Sequence, residues 1–371
     1  MTGGDLSATT QPRYELLGIG NAIVDIFAQA DTAFMDRLGL TEAVQHISSE
    51  EAEHIIGELG GKNDPAGNLA PDEKAGLTVC SGGGAANAAK IAALLGIQTG
   101  FTGCTGKDRL GEIFRREITA SGTAPLLVPG AGKTGVCIIL TSPGGETRIA
   151  AAPGAAAELS PEHIGEEALK NAGIVILDGY LLDRQPLTRR VLALADQFGV
   201  PVALDVASIF RVQEKTEEIL HYSRNYPLII FMNEDEAIAF YQGIKKTSEK
   251  YESRGTREKT DWIIREICPV FQIITGSELF PIIAVKLGSR GAVIIAGGTI
   301  YRAETSPVVP RNSTGAGDAF CAAFLAGWIR KKSIAESAAL GNRVAREVLN
   351  IPGTRIDGRK LARIQKGLDR L

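Results

Sequence analysis

A doubly wound α/β core carrying a small β-sheet lid is the architecture this sequence predicts. Three observations point to it. From about residue 173 onward, short runs rich in β-branched residues alternate with helical segments, as in a parallel sheet buried on both faces. Two glycine-rich turns, one near residue 83 and one near residue 316, each open an alanine-rich apolar helix. Earlier hairpin-like material breaks the strand–helix rhythm and reads as a separate β layer drawn from two stretches, about 25–50 and 123–152.

The elements follow in order. Residues 1–13 are small and polar and read as a flexible N-terminus. YELLGIGNAIVDIFAQA (14–30) is the first strand candidate, with Asp25 as a carboxylate closing a buried strand. AFMDRLGL and SEEAEHIIGEL carry helical periodicity around a short strand at Val44–Ile47. GGKNDPAGNLAPDEKAG (60–76) is a surface loop by composition. LTVCSGGGAANAAKIAALLG gives a strand, a triple-glycine turn and a helix that stops at Gly96. A strand, a Gly-punctuated loop and a helix come next, and TGVCIILTSPGGETRIA (134–150) is a hairpin with SPGGET at its tip.

AGIVILDGY, PVALDVA, PLIIFMNE, IIAVKLG and GAVIIAG are the later strands, with LTRRVLALADQFG and EDEAIAFYQGIK as helices between the earlier ones. Two long helices close the pattern, in GAGDAFCAAFLAGWIRKK and SIAESAALGNRVAREVLN. The 371 residues have room for two ordinary domains or one large α/β domain with an elaboration.

Composition excludes several classes. The chain is 44% hydrophobic and 22% charged, ordinary for a soluble globular protein, and its net charge is −3. Basic residues are scattered, so no nucleic-acid face is expected. Five cysteines without a CxxC pair, most of them inside apolar runs, suit a reducing compartment and buried thiols. Four dispersed histidines give no metal cluster. With no signal-like segment and no run of membrane-spanning length, a cytoplasmic protein is expected.

Five short stretches carry chemistry. Gly18-Ile19-Gly20 starts like a dinucleotide fingerprint, but Ile23 stands where the third glycine is needed, which argues against a nicotinamide site. Asp25 beyond it is either a turn cap or a bidentate acceptor for two sugar hydroxyls. Gly82-Gly83-Gly84 lets a ligand approach the backbone, and Asn87 offers donors and an acceptor from the first helical turn. Asn233 and Glu236, at i and i+3 of a helix start, share a face that could meet a hydrated Mg²⁺, or merely complement the helix dipole. Gly288 and Gly291 suit a loop whose amides face phosphate, or a plain hairpin turn, with Arg290 between them turned to solvent.

The last stretch, RNSTGAGDAF (311–320), is the most specific. Gly315-Ala316-Gly317 gives unpaired N–H groups at a helix N-terminus, an anion hole, yet no Walker lysine follows. Asp318 beside it makes sense if it faces the attacking hydroxyl, which it orients and whose proton it accepts, while the amides stabilise the phosphoryl charge.

Taken together these stretches resemble the PfkB (ribokinase-like) family of carbohydrate and nucleoside kinases, over about residues 14–355. Gly82-Gly83 through Asn87 and Ala89 to Gly96 and Gly106 is similar to its first signature, Asn233 and Glu236 to its N-x-x-E motif, Gly288–Gly291 to its G-x-x-G loop, and Thr314–Phe320 to its second signature. The resemblance implies a ribokinase-like three-layer α/β/α core with a β lid, a kinase domain spanning 14–371, and ATP with Mg²⁺ as cofactors. It implies Asp318 as catalytic base with Gly315, Ala316 and Gly317 as anion hole. Asp25, Asn21, Gly83, Gly84, Asn87 and Arg148 would hold the acceptor. Asn233, Lys286, Gly288, Gly291, Thr314 and Asn342 would bind ATP, and Asn233 with Glu236 would meet Mg²⁺ through water.

One position departs from the pattern. The family usually has an aspartate where this chain has Asn312, which puts an activating K⁺ in doubt. The acceptor is a small molecule, a sugar or nucleoside. The GIGNAIVDI start and Arg148 are similar to the adenosine-kinase branch, whereas Ala152-Pro153-Gly154-Ala155 is closer to free-sugar kinases. Adenosine or a related nucleoside is favoured over a free sugar such as ribose or fructose. A member of the fold that binds ligand without catalysis is the contrasting reading, and a homodimer through the lid is open.

Overall fold

The computed structural model describes residues 13–60, 76–247, 256–276, 281–308 and 315–349. Of the sequence expectations, the terminal residues 1–12, the 61–75 part of the expected loop, Asn312 and Thr314 lie outside the described residues.

In chain order the strands are β1 (Leu16–Ile19), β2 (Ile23–Gln29), β3 (Val44–His46), β4 (Thr78–Gly82), β5 (Thr99–Thr105), β6 (Ala124–Pro129), β7 (Gly135–Thr141), β8 (Thr147–Ala152), β9 (Val175–Asp178), β10 (Val202–Asp205), β11 (Leu228–Asn233), β12 (Ile282–Lys286), β13 (Ala292–Ala296) and β14 (Thr299–Ala303). Nine form one sheet in the order β14-β13-β12-β11-β10-β9-β1-β5-β6, and five form a second in the order β3-β8-β7-β2-β4. The large sheet is parallel except for its β12-β13-β14 end.

Helices cover both faces of the large sheet because alternate residues of each central strand point opposite ways. In β11, Ile229 and Phe231 join one hydrophobic core with Phe320 and Phe324, while Leu228, Ile230 and Met232 join the other with Phe240 and Phe271. A strand that feeds two cores has no polar face to alternate, which is why these runs are continuously apolar. The helix Gly84–Leu94 lies close on β1: a Cβ on Gly18 would stand 2.9 Å from the Ala85 carbonyl oxygen. Gly18 therefore serves helix–strand packing, which explains a dinucleotide-like start without dinucleotide chemistry.

Two boundaries differ from the sequence expectation. The stretch 14–30 is two strands, not one: β1 runs in the large sheet and β2 in the small one, so Asp25 sits inside a strand of the small sheet. The small sheet also takes β4, while β6, expected with it, is the edge strand of the large sheet paired with β5. The hairpin 134–150 is β7 and β8, antiparallel from Thr141↔Thr147 to Val136↔Ala152. All five cysteines are free, four of them buried. Among the described residues no helix is long and apolar enough to cross a membrane.

The topology also says where a ligand belongs. The chain leaves β1 toward β5 on one side and returns as β9 on the other, so the strand order reverses there. Crevices beyond the carboxyl ends of parallel strands at such a reversal are where open α/β sheets bind ligands. Those ends carry Asp178, Asp205, Asn233 and Lys286, and in register Asp178 lies beside Asp205 and Asn233 beside Lys286.

Candidate active site

Gly315, at φ 81°, turns the chain into the helix Ala316–Ile329 through a left-handed conformation that a side chain would strain. Asp318 stands in the first turn of that helix, where its carboxylate accepts a hydrogen bond from the Asn87 amide at 2.8 Å. Asn87 comes from the helix Gly84–Leu94, so two helix N-termini 231 residues apart in sequence meet at this bond. Burial is the main reason that the Asp318 carboxyl is pushed up to about 6. The neighbouring Asp205 adds to it, while the Asn87 bond and the ammonium groups of Lys286 and Lys90 oppose it.

Asp25 approaches from β2. Its carboxylate rests on Gly82 so closely that a Cβ there would stand 2.3 Å from either oxygen. Gly83, at φ 92°, has room for no side chain either, since a Cβ would meet the Asn21 carbonyl oxygen at 2.1 Å. Gly84 faces the reacting end: its Cβ position is 3.5 Å from an Asp318 oxygen. Burial lifts the Asp25 carboxyl to about 7, with Lys90 opposing and Asp318 and Glu117 reinforcing the shift. The two carboxyl groups lie within electrostatic reach of each other, and burial raises both.

On the other side of Asp318 lies a cavity of about 480 Å³. Gly288, Ser289 and Gly291, Thr305, Ser306 and Val308, and Ala316, Gly317 and Phe320 form much of its wall, with Asn342 and Arg346 from the last helix and Lys286 at its inner end. Gly291, at φ 90°, presses against β14, where a Cβ would meet the Ala303 carbonyl at 2.0 Å. The Asn342 amide donates to that same carbonyl at 2.8 Å and so fixes this wall. The Lys286 ammonium lies 3.3 Å from the Cβ position of Gly317 and donates to both oxygens of Asp205, at 3.0 and 3.1 Å. Burial alone would lower its pKa, but Asp205, Cys321 and Glu236 outweigh that and raise it, so the ammonium stays charged.

The signature of the pfkB family of carbohydrate kinases matches residues 64–360. The chain belongs to this family. Guanosine-inosine kinase of Escherichia coli is 27% identical over 267 residues, 68% of this chain and 57% of that protein, so the chain spans little more than half of that relative's length. A probable sugar kinase of Rhizobium etli superposes with a TM-score of 0.76 at 27% identity, covering 96% of this chain and all of the other. Adenosine kinase of Sinorhizobium meliloti gives a TM-score of 0.74 at 27% identity, covering 95% of this chain and 99% of its own. The α/β ribokinase-like fold is shared with these structures.

Several residues of the pfkB family's motifs have partners within the fold that the sequence did not show, and Arg290, expected to face solvent, is one of their neighbours. Asn233 and Glu236 form a reciprocal cap: Asn233 Oδ1 accepts from the Glu236 backbone N–H at 2.9 Å, and Glu236 Oε2 accepts from the Asn233 backbone N–H at 2.7 Å. Helix capping thus occupies one oxygen of each, and among the described residues no group of three or more His, Cys, Asp or Glu could hold a metal. Glu234 next to them binds Lys259 and Arg290, so Arg290 is ion-paired instead of facing solvent. The Gly288–Gly291 segment is a hairpin turn between β12 and β13, closed by Leu287 and Gly291, with its glycines on the cavity wall.

Asn21 and Arg148 are engaged elsewhere. The Asn21 side-chain oxygen accepts from Arg184, and the Asn21 backbone N–H donates to Asp178 at 3.1 Å. Arg148 binds Asp36 at 2.6 Å and Glu146 at 2.8 Å and reaches the Leu40 carbonyl, tying β8 to the helix Thr32–Arg37 and the residues after it. In register, Asp25 pairs with Cys137, which pairs with Ala151, three residues beyond Arg148.

Sequence reasoning missed Asp178, Asp205, Lys90 and Arg184. A signal for the two acids was present, because VILD and VALD are apolar runs that both end in aspartate at the same height of the sheet. Nothing in the sequence pointed to Lys90, which lies in the middle of an alanine-rich helix.

Proposed function

We propose that this protein is an ATP-dependent kinase that phosphorylates the primary, 5′-type hydroxyl of a ribose-containing acceptor, with adenosine or a related purine nucleoside favoured. The observation that carries this reading is Asp318, half-buried between the acceptor-side Asp25 and Asn87 and the cavity edged by Gly317, with its carboxyl near 6. A group tuned there is mostly ionised at neutral pH and still basic enough to take a proton as a bond forms.

In the step proposed, the acceptor hydroxyl gives its proton to the Asp318 carboxylate while its oxygen attacks the γ-phosphorus. The bond to the bridging oxygen breaks and ADP leaves. Gly315, Ala316 and Gly317 direct amides at the transferred phosphoryl, and the Lys286 ammonium adds charge beside them. The nucleotide base fits the cavity between the Gly288–Gly291 turn, the Thr305–Val308 segment and Asn342. Asp25 would take two acceptor hydroxyls, with Gly83, Gly84 and Asn87 lining the approach.

Mg²⁺ suits the charge balance here. Asp205 and Glu236 interact electrically with Lys286, and Asp318 with both Lys286 and Lys90, so three carboxyl groups face two ammonium groups before any phosphate enters. Glu236 and Asn233 would hold the ion through water, each with acceptor capacity beyond its capping bond, and the ion would neutralise phosphate charge.

The named relatives support both a nucleoside and a free sugar, and the probable sugar kinase is as similar as the adenosine kinase. Incubation of the purified protein with Mg-ATP and a panel of adenosine, guanosine, inosine, ribose and hexoses decides between them. Turnover of purine nucleosides is expected. Turnover of a free hexose alone would sink the nucleoside reading, and no turnover with any acceptor would favour a non-catalytic binding protein.

A further inference from the structure

Beneath the acceptor side lies a buried cation that the phosphoryl-transfer scheme does not use. Lys90, only 7% exposed, reaches from the helix Gly84–Leu94 to the edge strand β4. Its ammonium donates to the Ser81 carbonyl at 2.6 Å and to the Ser81 hydroxyl at 2.8 Å. From the next helix, Arg109–Ala120, Glu117 accepts the Ser81 N–H at 2.7 Å. One residue of the small sheet's edge strand is thus gripped at both its backbone N–H and its carbonyl by side chains of opposite charge. Ser81 is followed at once by Gly82, on which the Asp25 carboxylate rests, and by Gly83, which starts the helix. Across the strand pair, Asp25 lies opposite Cys80 and Val24 opposite Ser81.

We propose that Lys90 is a positioning residue of the acceptor site, which holds Ser81 with Glu117 so that Gly82 and Gly83 carry Asp25 at a fixed place, and which supplies the counter-charge to Asp25. The inference rests on the acceptor role of Asp25 given above. A buried ammonium is costly unless its donors and its charge are matched, and burial does push the Lys90 pKa down. Two Ser81 oxygens match two of its donors, and Cys80, Asp25, Glu117 and Asp318 all favour its charged form. Around Asp25 the facing groups are Lys90 from one helix, Glu117 from the next, Asp318 from a third, and Cys80 and Cys137 from the flanking strands. Lys90 is the one cation among them. Without it, Asp25 would face carboxylates and thiols alone.

The test compares Lys90→Met and Lys90→Arg with wild type, using adenosine as acceptor, or ribose if adenosine is not turned over. Lys90→Met is expected to raise the acceptor KM at least about tenfold, the scale of a lost buried charged hydrogen bond, with the KM for ATP within about twofold. Lys90→Arg should recover part of the loss. An unchanged acceptor KM in Lys90→Met, or an equal rise for ATP, overturns the proposal. If Lys90→Met does not fold, Ser81→Ala carries the test: a rise of about threefold in acceptor KM supports the grip, and none overturns it. Titration of ¹³C-labelled Asp25, assigned with Asp25→Asn, needs no turnover and so separates this inference from the kinase reading. Its midpoint should move upward in Lys90→Met and stay nearer wild type in Lys90→Arg, which keeps the charge; an unmoved midpoint in Lys90→Met contradicts the counter-charge.

Discussion

The Lys286 ammonium donates to both carboxylate oxygens of Asp205, at 3.0 and 3.1 Å, at the mouth of a helix whose first residues are glycine and alanine. A helix N-terminus that holds phosphate commonly has its lysine in the same loop. Here the cation arrives from a strand end far away in sequence, and the acid that aims it comes from the carboxyl end of β10. The Cys321 thiol, one turn beyond Asp318, donates to the same Asp205 at 3.2 Å. Asp205 therefore binds the helix that carries Asp318 and the Lys286 ammonium into one unit.

Lys286→Met should lower kcat by about two orders of magnitude, the usual cost of losing one charged stabiliser of a transferring group. Asp205→Asn leaves the ammonium in place but less well aimed, and an intermediate loss is expected. Steady-state kinetics with ATP varied at saturating acceptor measure both. A Lys286→Met enzyme with wild-type kcat would place the positive charge elsewhere.

The pH profile follows from the two raised carboxyls. Asp318 sits near 6 and Asp25 near 7, in each case chiefly through burial. Both are expected to work ionised, so kcat/KM should fall as pH drops from about 7 to below 6. Because the groups interact, the limb belongs to the pair and should be steeper than for a single proton. A profile flat down to pH 5 would contradict the assignment.

Gly82→Ala is the sharpest packing test. The added Cβ would stand 2.3 Å from the Asp25 oxygens and must displace that carboxylate. Acceptor KM should rise about tenfold or more while the KM for ATP holds, since neither Gly82 nor Asp25 lines the cavity proposed for the nucleotide. Equal changes in both constants would mean general damage.

The raised carboxyl of Asp318 also has a stability consequence. Its folded pKa lies above the ordinary carboxylate value, so the native state binds the proton more tightly than the unfolded chain. Ionisation at neutral pH then destabilises the fold, and the penalty vanishes below about pH 4, where both states are protonated. Asp318→Asn should melt at a higher temperature than wild type at pH 8, by an amount that shrinks toward pH 4. A lower melting temperature at pH 8 would contradict the shift.

What the sequence made legible was whatever depends on neighbours along the chain. Glycine turns, helix starts and all-apolar strands are local, and Gly83, Gly315 and the β9–β13 runs were readable for that reason. The nearness of Asn87 to Asp318 was expected only through the family resemblance, since 231 residues separate them. Charge partnerships were not readable. Arg148 and Asn21 look free in the sequence because Asp36, Glu146 and Arg184 reach them only through folding. The reciprocal caps of Asn233 and Glu236 were not read from their spacing, although a capping box is a local pattern. Lys90 hides in a run of alanines, and only the packing of β4 against two helices gives it a partner.

The most direct test of the central claim is single-turnover phosphoryl transfer by Asp318→Asn, alongside ATP binding by the same variant. Loss of at least about a thousandfold in rate, with the Kd for ATP within a few-fold of wild type, is the predicted result. Transfer within about tenfold of wild type by a folded Asp318→Asn protein would contradict the role of Asp318 as the base.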